Sequence, residues 1–465
     1  MIIDEMLPCD FSPFRNLEYS HYLSFFHSSV LVSTEGWHSW ISNMTFEQNM
    51  EKDTLSVQVK AKIKKFEEFD RFVPSLAYIT FLNNAYQALP LLEERQLPFI
   101  LQLYPGGGFE LHSEKSDEML RAVAQSPLCR KIITTQNIST QYLIDRANCP
   151  EEKIEFIYGG VYNTRHEFDF SRDKKLFGRD KETIDICFVA HRYGDDVKKK
   201  GYDQFVAVAR AFAISHPHMR FHVVGDYTPD QIPLGPAAER MTFHGRVPNT
   251  FFAAFYPQMD MILSVNRPAD GLKGAFDGFP TGACMEAGFR GVLNLISDPL
   301  NLNVAFTDGK DVVLLDEDTD RTIARIHELV SDPARMYQMS YANWSTFHDV
   351  FDTDKQLWAR TEVVTAQLLA RETLIVRPPV KSALALGVNA GLIANLKDTE
   401  RRHDNLLLEY YKLAEGFEAR GRALEERAQT VAPAPTPSIP RRVVRKCRSL
   451  ASRIKQKIKR TLFSQ

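Results

Sequence analysis

Two carboxylates, Asp277 and Glu286, stand on either side of a small-residue turn in the run FDGFPTGACMEAGFRG, residues 276–291. Their chemistry is that of hydroxyl recognition, because an ionised carboxylate accepts several hydrogen bonds and matches vicinal hydroxyls of a sugar or a ribose. A helix opening near Thr281 or Gly282 would aim unpaired backbone N–H groups at whatever precedes it, where a diphosphate fits. Gly278 and Gly282 leave room for backbone approach, and Phe279 and Thr281 complete the turn. An ordinary loop with a capping acid accounts for the run equally well, so its surroundings have to decide.

Those surroundings alternate strand-like apolar runs with helical stretches, the pattern of a doubly wound parallel sheet. Residues 184–190, 219–225, 241–245, 259–265, 292–297 and 311–315 read as successive strands. An earlier series, residues 28–33, 76–81, 98–105, 131–136 and 153–160, repeats the rhythm, so two Rossmann-like domains are expected. The first is expected over 1–165 and the second over 166–375. Ligands of such sheets bind beyond the carboxyl ends of the strands. After one first-domain strand comes YPGGGF, where Gly106 and Gly107 could bring backbone close to a phosphate or acceptor. It is no dinucleotide fingerprint, because a third glycine of GxGxxG would fall at Leu111. The acidic run LDEDTDRT, residues 315–322, reads as the cap of a helix starting near Asp320.

Several of these landmarks, in order, resemble the family-4-type glycosyltransferases of the GT-B fold. FVAHRYGDDVKKKGYDQFVAVARAF matches the unit in which a strand, a basic residue and a Lys-Gly open the second domain; HVVGD, FHGRVP and the paired acids follow. The resemblance implies that Arg192 and Lys200 clamp a donor diphosphate, that Glu286 holds ribose hydroxyls and that Asp277 contacts the transferred sugar. It further implies that Gly225 closes a strand at the donor, and that His244 to Val247, Arg246 among them, lie against the base through their backbone. Lys198 and Lys199 are expected on the surface. The activity implied is transfer from a nucleotide sugar to an acceptor hydroxyl with retention, without a metal or other cofactor. Here the first acid is Asp rather than Glu, and one extra residue separates the pair. Relatives often carry a His where this chain has Tyr104, and the rival reading is a non-catalytic GT-B-like scaffold.

The 465 residues, 44% of them apolar, suffice for two or three domains. No apolar run reaches the 18 or so residues of a membrane span, so the cytoplasm is the expected compartment. Six cysteines without CxxC spacing point to reduced, mostly buried thiols. A net charge of −2 conceals an asymmetry: residues 441–460 hold ten Lys or Arg and no acid, and the remainder is strongly acidic, which argues against nucleic acid. Apolar residues at alternating spacings of four and three over 392–424 read as a helical or coiled-coil segment within 376–430, able to pair with a second copy. A Pro/Ala linker, 431–440, precedes a basic amphipathic helix, 441–465, suited at 441–463 to an anionic membrane face and thus to a glycan or lipid-linked acceptor.

Overall fold

A computed structural model describes residues 1–8, 12–36, 44–165, 168–192, 196–267 and 273–370. It divides into a compact unit, Met1–Val364, and a second, Thr365–Gln465, of which only residues 365–370 are described. The expected coiled-coil segment, linker and basic helix lie outside the described residues.

The first sheet has seven parallel strands: β1 (Ile2–Asp4), β2 (Leu31–Ser33), β3 (Ile63–Lys65), β4 (Ala77–Thr80), β5 (Phe99–Leu103), β6 (Cys129–Thr134) and β7 (Ile154–Phe156). Their order is β3-β2-β1-β4-β5-β6-β7. The second has six: β8 (Ile184–Ala190), β9 (Met219–Gly225), β10 (Met241–Gly245), β11 (Met261–Ser264), β12 (Leu293–Ser297) and β13 (Val313–Leu315), in the order β10-β9-β8-β11-β12-β13. Each sheet reverses its winding once, between β1 and β4 and between β8 and β11. A crevice beyond the strand ends forms at such a reversal.

Central strands are apolar along their whole length because helices cover both faces of a parallel sheet. Thus Ile184, Ile186, Cys187 and Phe188 of β8 are all buried, in register with β9 from Ile184–Met219 to Ala190–Gly225. The helix Tyr202–Phe212 answers with a stripe at 202, 205, 206, 209 and 212, every member buried. The cysteines described, Cys129, Cys149, Cys187 and Cys284, are buried and free.

The last described helix, Thr353–Leu369, returns to the first sheet. Trp358 meets the rings of His21 and Phe25 at 5.0 and 5.3 Å. The fully buried Arg360 donates to Gln102 Oε1 at 3.1 Å and to the Gly159 carbonyl at 2.8 Å. One apolar cluster runs from Leu101 and Phe109 of the first half into Phe276, Phe279 and Met285 of the second, so the halves share a core.

Candidate functional site

The site is built at the carboxyl ends of β8 and β11. Arg192 follows β8 and is half-buried near Tyr227, whose hydroxyl burial pushes up to about 12 while Arg192 pulls it down. Gly201 caps the helix Tyr202–Phe212 at φ +79, and a Cβ there would lie 2.5 Å from the Val265 carbonyl oxygen. Only glycine accepts both conditions, and so the chain turns sharply enough to present Lys200 beside β11. Lys200 Nζ forms an ion pair with Asp277. The two residues, 77 positions apart, are thereby brought together.

Beyond Asp277 the turn enters a short helix, Gly282–Gly288, whose N-cap Thr281 accepts from the Cys284 N–H at 3.4 Å. Glu286 is partly exposed on this helix and pairs with Arg290 one turn on, Nη1 to Oε2 at 2.5 Å. Its charge also reaches the hydroxyls of Tyr162 and Tyr256, both pushed up mainly by burial and further by Glu286. A Cβ on Gly282 would lie 3.6 Å from the Tyr162 hydroxyl, so this tyrosine stands over the start of the helix. A recess next to the turn is lined by Ser264 and Asn266 at the end of β11, Ser297 and Asp298 at the end of β12, and Asp277 to Thr281. Lys199 and Arg267 line it as well, so Lys199 is half-buried in the recess rather than a surface residue, whereas Lys198 is exposed as expected. The difference arises because Arg267 draws this loop inward, donating from its backbone N–H to the Lys199 carbonyl at 3.0 Å and from its guanidinium to the Lys198 carbonyl at 2.6 Å.

The neighbouring strand ends form a polar rim. Gly225 ends β9 where a Cβ would lie 1.9 Å from the Ala190 carbonyl oxygen, so its place is set by the crossing of two main chains. Arg246, after β10, pairs with Asp226, after β9, and holds its carboxyl below the usual range, with His191 3.5 Å away. The His244 side chain turns inward, stacking on His222 at 5.5 Å and meeting Phe255 at 5.3 Å, and burial lowers its pKa. That leaves the backbone of this strand end as its outward surface.

The first half reaches the same turn. Gly107 packs on the Phe81 ring, whereas a Cβ on Gly106 would meet nothing within 4 Å, and their loop continues to Phe109, whose ring meets Phe276 at 5.5 Å. Leu111 and Gly274 then pair as an antiparallel bridge. Gly278 is closely approached by the Gln136 amide and Pro105. Tyr104 points its hydroxyl to Glu18 at 3.4 Å in a buried network with Tyr78 and Arg360. At the reversal of the first sheet, Arg15 bridges Asp4 and Glu5 at 3.0 and 2.9 Å. Burial and Asp4 push Glu5 up to about 7, against the pull of Arg15.

Sequence reasoning missed Arg290, Tyr162 and Gln136. Only Arg290 carried a local signal, its spacing of four residues from Glu286. The acidic run 315–322 is spent on structure: Asp318 caps the helix Thr319–Ser331 by accepting from Asp320 and Arg321 N–H groups.

The sequence model of the glycosyl transferase-like family matches residues 204–357, the part of the second half that carries the acid turn. No curated protein sequence matches the chain significantly. Among solved structures, Anabaena HepE in complex with UDP and glucose superposes with a TM-score of 0.56 at 12% identity, covering 78% of this chain and 99% of that one. Sucrose-phosphate synthase from Thermosynechococcus elongatus gives 0.56 at 12% identity over 79% and 98% of the two chains. A glycosyltransferase from Rickettsia africae gives 0.52 at 14% identity over 79% and 98%. These likenesses, with the two doubly wound sheets, show that the chain has the GT-B fold.

Proposed function

We propose that this protein is a glycosyltransferase that takes a sugar from a nucleoside-diphosphate donor and passes it to an acceptor hydroxyl. The observation that carries the reading is the meeting of Lys200 with Asp277 at the winding reversal of the second sheet, with Glu286 on the adjoining helix and its partner Arg290 just beyond the end of that helix. The family match over 204–357 and the UDP bound by the Anabaena neighbour support it.

In this reading the donor's anomeric carbon–oxygen bond breaks, and the departing nucleoside diphosphate takes the bonding pair. Arg192 and Lys200 stabilise that charge most when it is greatest, which is how fixed cations lower a barrier. The acceptor oxygen forms the new bond to the anomeric carbon, and its proton passes to the departing phosphate oxygen, so retention needs no dedicated protein base. Glu286 accepts ribose hydroxyls and Asp277 those of the sugar. No metal is required, since the cations are supplied by side chains. The basic stretch 441–460 suits an acceptor at an anionic membrane face, a lipid-linked or cell-surface glycan.

A screen of nucleotide sugars against acceptor glycans, read by mass spectrometry, tests this. Product should form with a defined donor and fall by roughly two to three orders of magnitude in Lys200→Ala, the scale of losing one charge-stabilising donor. Full activity in both Lys200→Ala and Glu286→Ala would remove the assigned pocket. Binding of nucleotide sugar without product would favour a scaffold.

A further inference from the structure

Among the described residues, three hydrogen-bonded contacts cross from the first half to the segments around the recess. Leu111 and Gly274 exchange both main-chain hydrogen bonds, at 3.0 and 2.7 Å. Asn137 Nδ2 donates to the Asn301 carbonyl at 3.0 Å. Between them, Gln136 Oε1 accepts the Phe279 N–H at 3.3 Å and its Nε2 donates to the Phe279 carbonyl at 3.5 Å.

The Gln136 contact differs from the other two in what it holds. In extended backbone the N–H and C=O of one residue point to the same side, so a side-chain amide can pair with both as a neighbouring strand would. Gln136 is 3% exposed, and a Cβ on Gly278 would lie 3.1 Å from its Nε2. Gly278 is therefore the residue that admits the amide, and the peptide it grips lies two residues from Asp277. The far end of the same turn is the N-cap Thr281.

We propose that Gln136 is a positioning residue of the donor site: its amide fixes the Phe279 peptide, and through it the direction of Asp277 toward Lys200 and the start of the helix bearing Glu286. This rests on the donor-site reading above. The first half thus contributes to a site whose assigned acids and cations, Asp277, Glu286, Arg192 and Lys200, belong to the second, and the site is aligned only while the halves are engaged.

The test compares Gln136→Ala and Gln136→Glu in the full chain. The alanine variant loses two neutral hydrogen bonds, so kcat should fall about tenfold. The KM for donor should stay within about twofold, because Lys200 and Arg192 remain. In Gln136→Glu the ionised side chain would set a carboxylate against the Phe279 carbonyl, whereas the protonated acid reproduces the donor and acceptor of the amide. The kcat of that variant relative to wild type should therefore rise as pH falls, a response that a purely structural role would not give. Independently of any activity, peptides spanning 273–282 should exchange amide hydrogens faster in Gln136→Ala than in wild type. Unchanged kcat in Gln136→Ala, a Gln136→Glu pH profile parallel to wild type, or unchanged exchange over 273–282 would each overturn the proposal. If wild type transfers no sugar from any donor, the transferase reading fails, and the exchange measurement alone decides whether Gln136 holds the turn.

Discussion

At the scale of single residues, the two acids of the turn are differently held, and that difference predicts different phenotypes. Asp277 is exposed and its partner Lys200 is the group proposed to meet the diphosphate, so acid and ligand compete for one cation. Asp277→Asn should leave nucleoside-diphosphate affinity equal or higher by titration calorimetry, while lowering turnover of the sugar donor; weaker diphosphate binding would contradict the competition. Glu286 instead neutralises Arg290, whose side chain is 15% exposed. Glu286→Gln leaves that guanidinium short of a counter-charge and removes a ribose acceptor, so affinity should fall and stability with it by about 1–3 kcal/mol. Urea denaturation alongside the calorimetry reads both effects.

At the scale of elements, most strands were legible, and two short strands of the first sheet were not. β8, β9 and β10 lie at their expected limits, β8 because five successive residues are buried and β9 and β10 because apolar residues alternate up to a closing glycine. β1 and β3, three residues each, escaped notice: three residues cannot display a period, and β3 reads Ile-Lys-Lys because it is the edge of its sheet. Motifs within one element were legible in the same way, as the capping acid Asp318 shows. Gln136 was not, since its partner is 143 residues away and a lone glutamine has no local pattern. Gly201 joins the two cases, being readable as a helix opener while the reason for glycine, the Val265 carbonyl, is tertiary. Gly201→Ala should cost at least ~2 kcal/mol, left-handed strain and the contact together, and displace Lys200. Asp318→Ala, at a residue that does not line the recess, should cost about 1 kcal/mol and leave donor binding untouched. Equal effects of the two on binding would refute the role given to the Gly201 turn.

At the scale of the molecule, the helix Thr353–Leu369 ties the end of the second half to the first sheet, and its docking contains a titratable group. His21 Nε2 lies 2.8 Å from Thr361 Oγ1, and because that hydroxyl donates to the Leu357 carbonyl, the ring must be the donor to it. The neutral ring is packed between Phe25 and Trp358, with Arg165 and Asp354 as the charges facing it. Burial, aided by Arg165 and opposed by Asp354, lowers His21 to about 4. In the unfolded chain the ring takes up a proton near pH 6.5. Between these values the unfolded chain binds more protons, so the contribution of His21 is complete above pH 6.5 and is lost as pH falls toward 4. One proton limits the slope to about 1.4 kcal/mol per pH unit. Glu5 works in the opposite sense, since a carboxyl raised to about 7 in the folded state stabilises as pH falls through the same window. The wild-type curve therefore mixes the two, and the difference between wild type and His21→Gln isolates the histidine. That difference in urea-unfolding free energy should shift against wild type steadily from pH 6.5 to 4.5, because glutamine can still donate to Thr361 and does not titrate. A difference independent of pH would show that the helix docks without regard to the charge on His21.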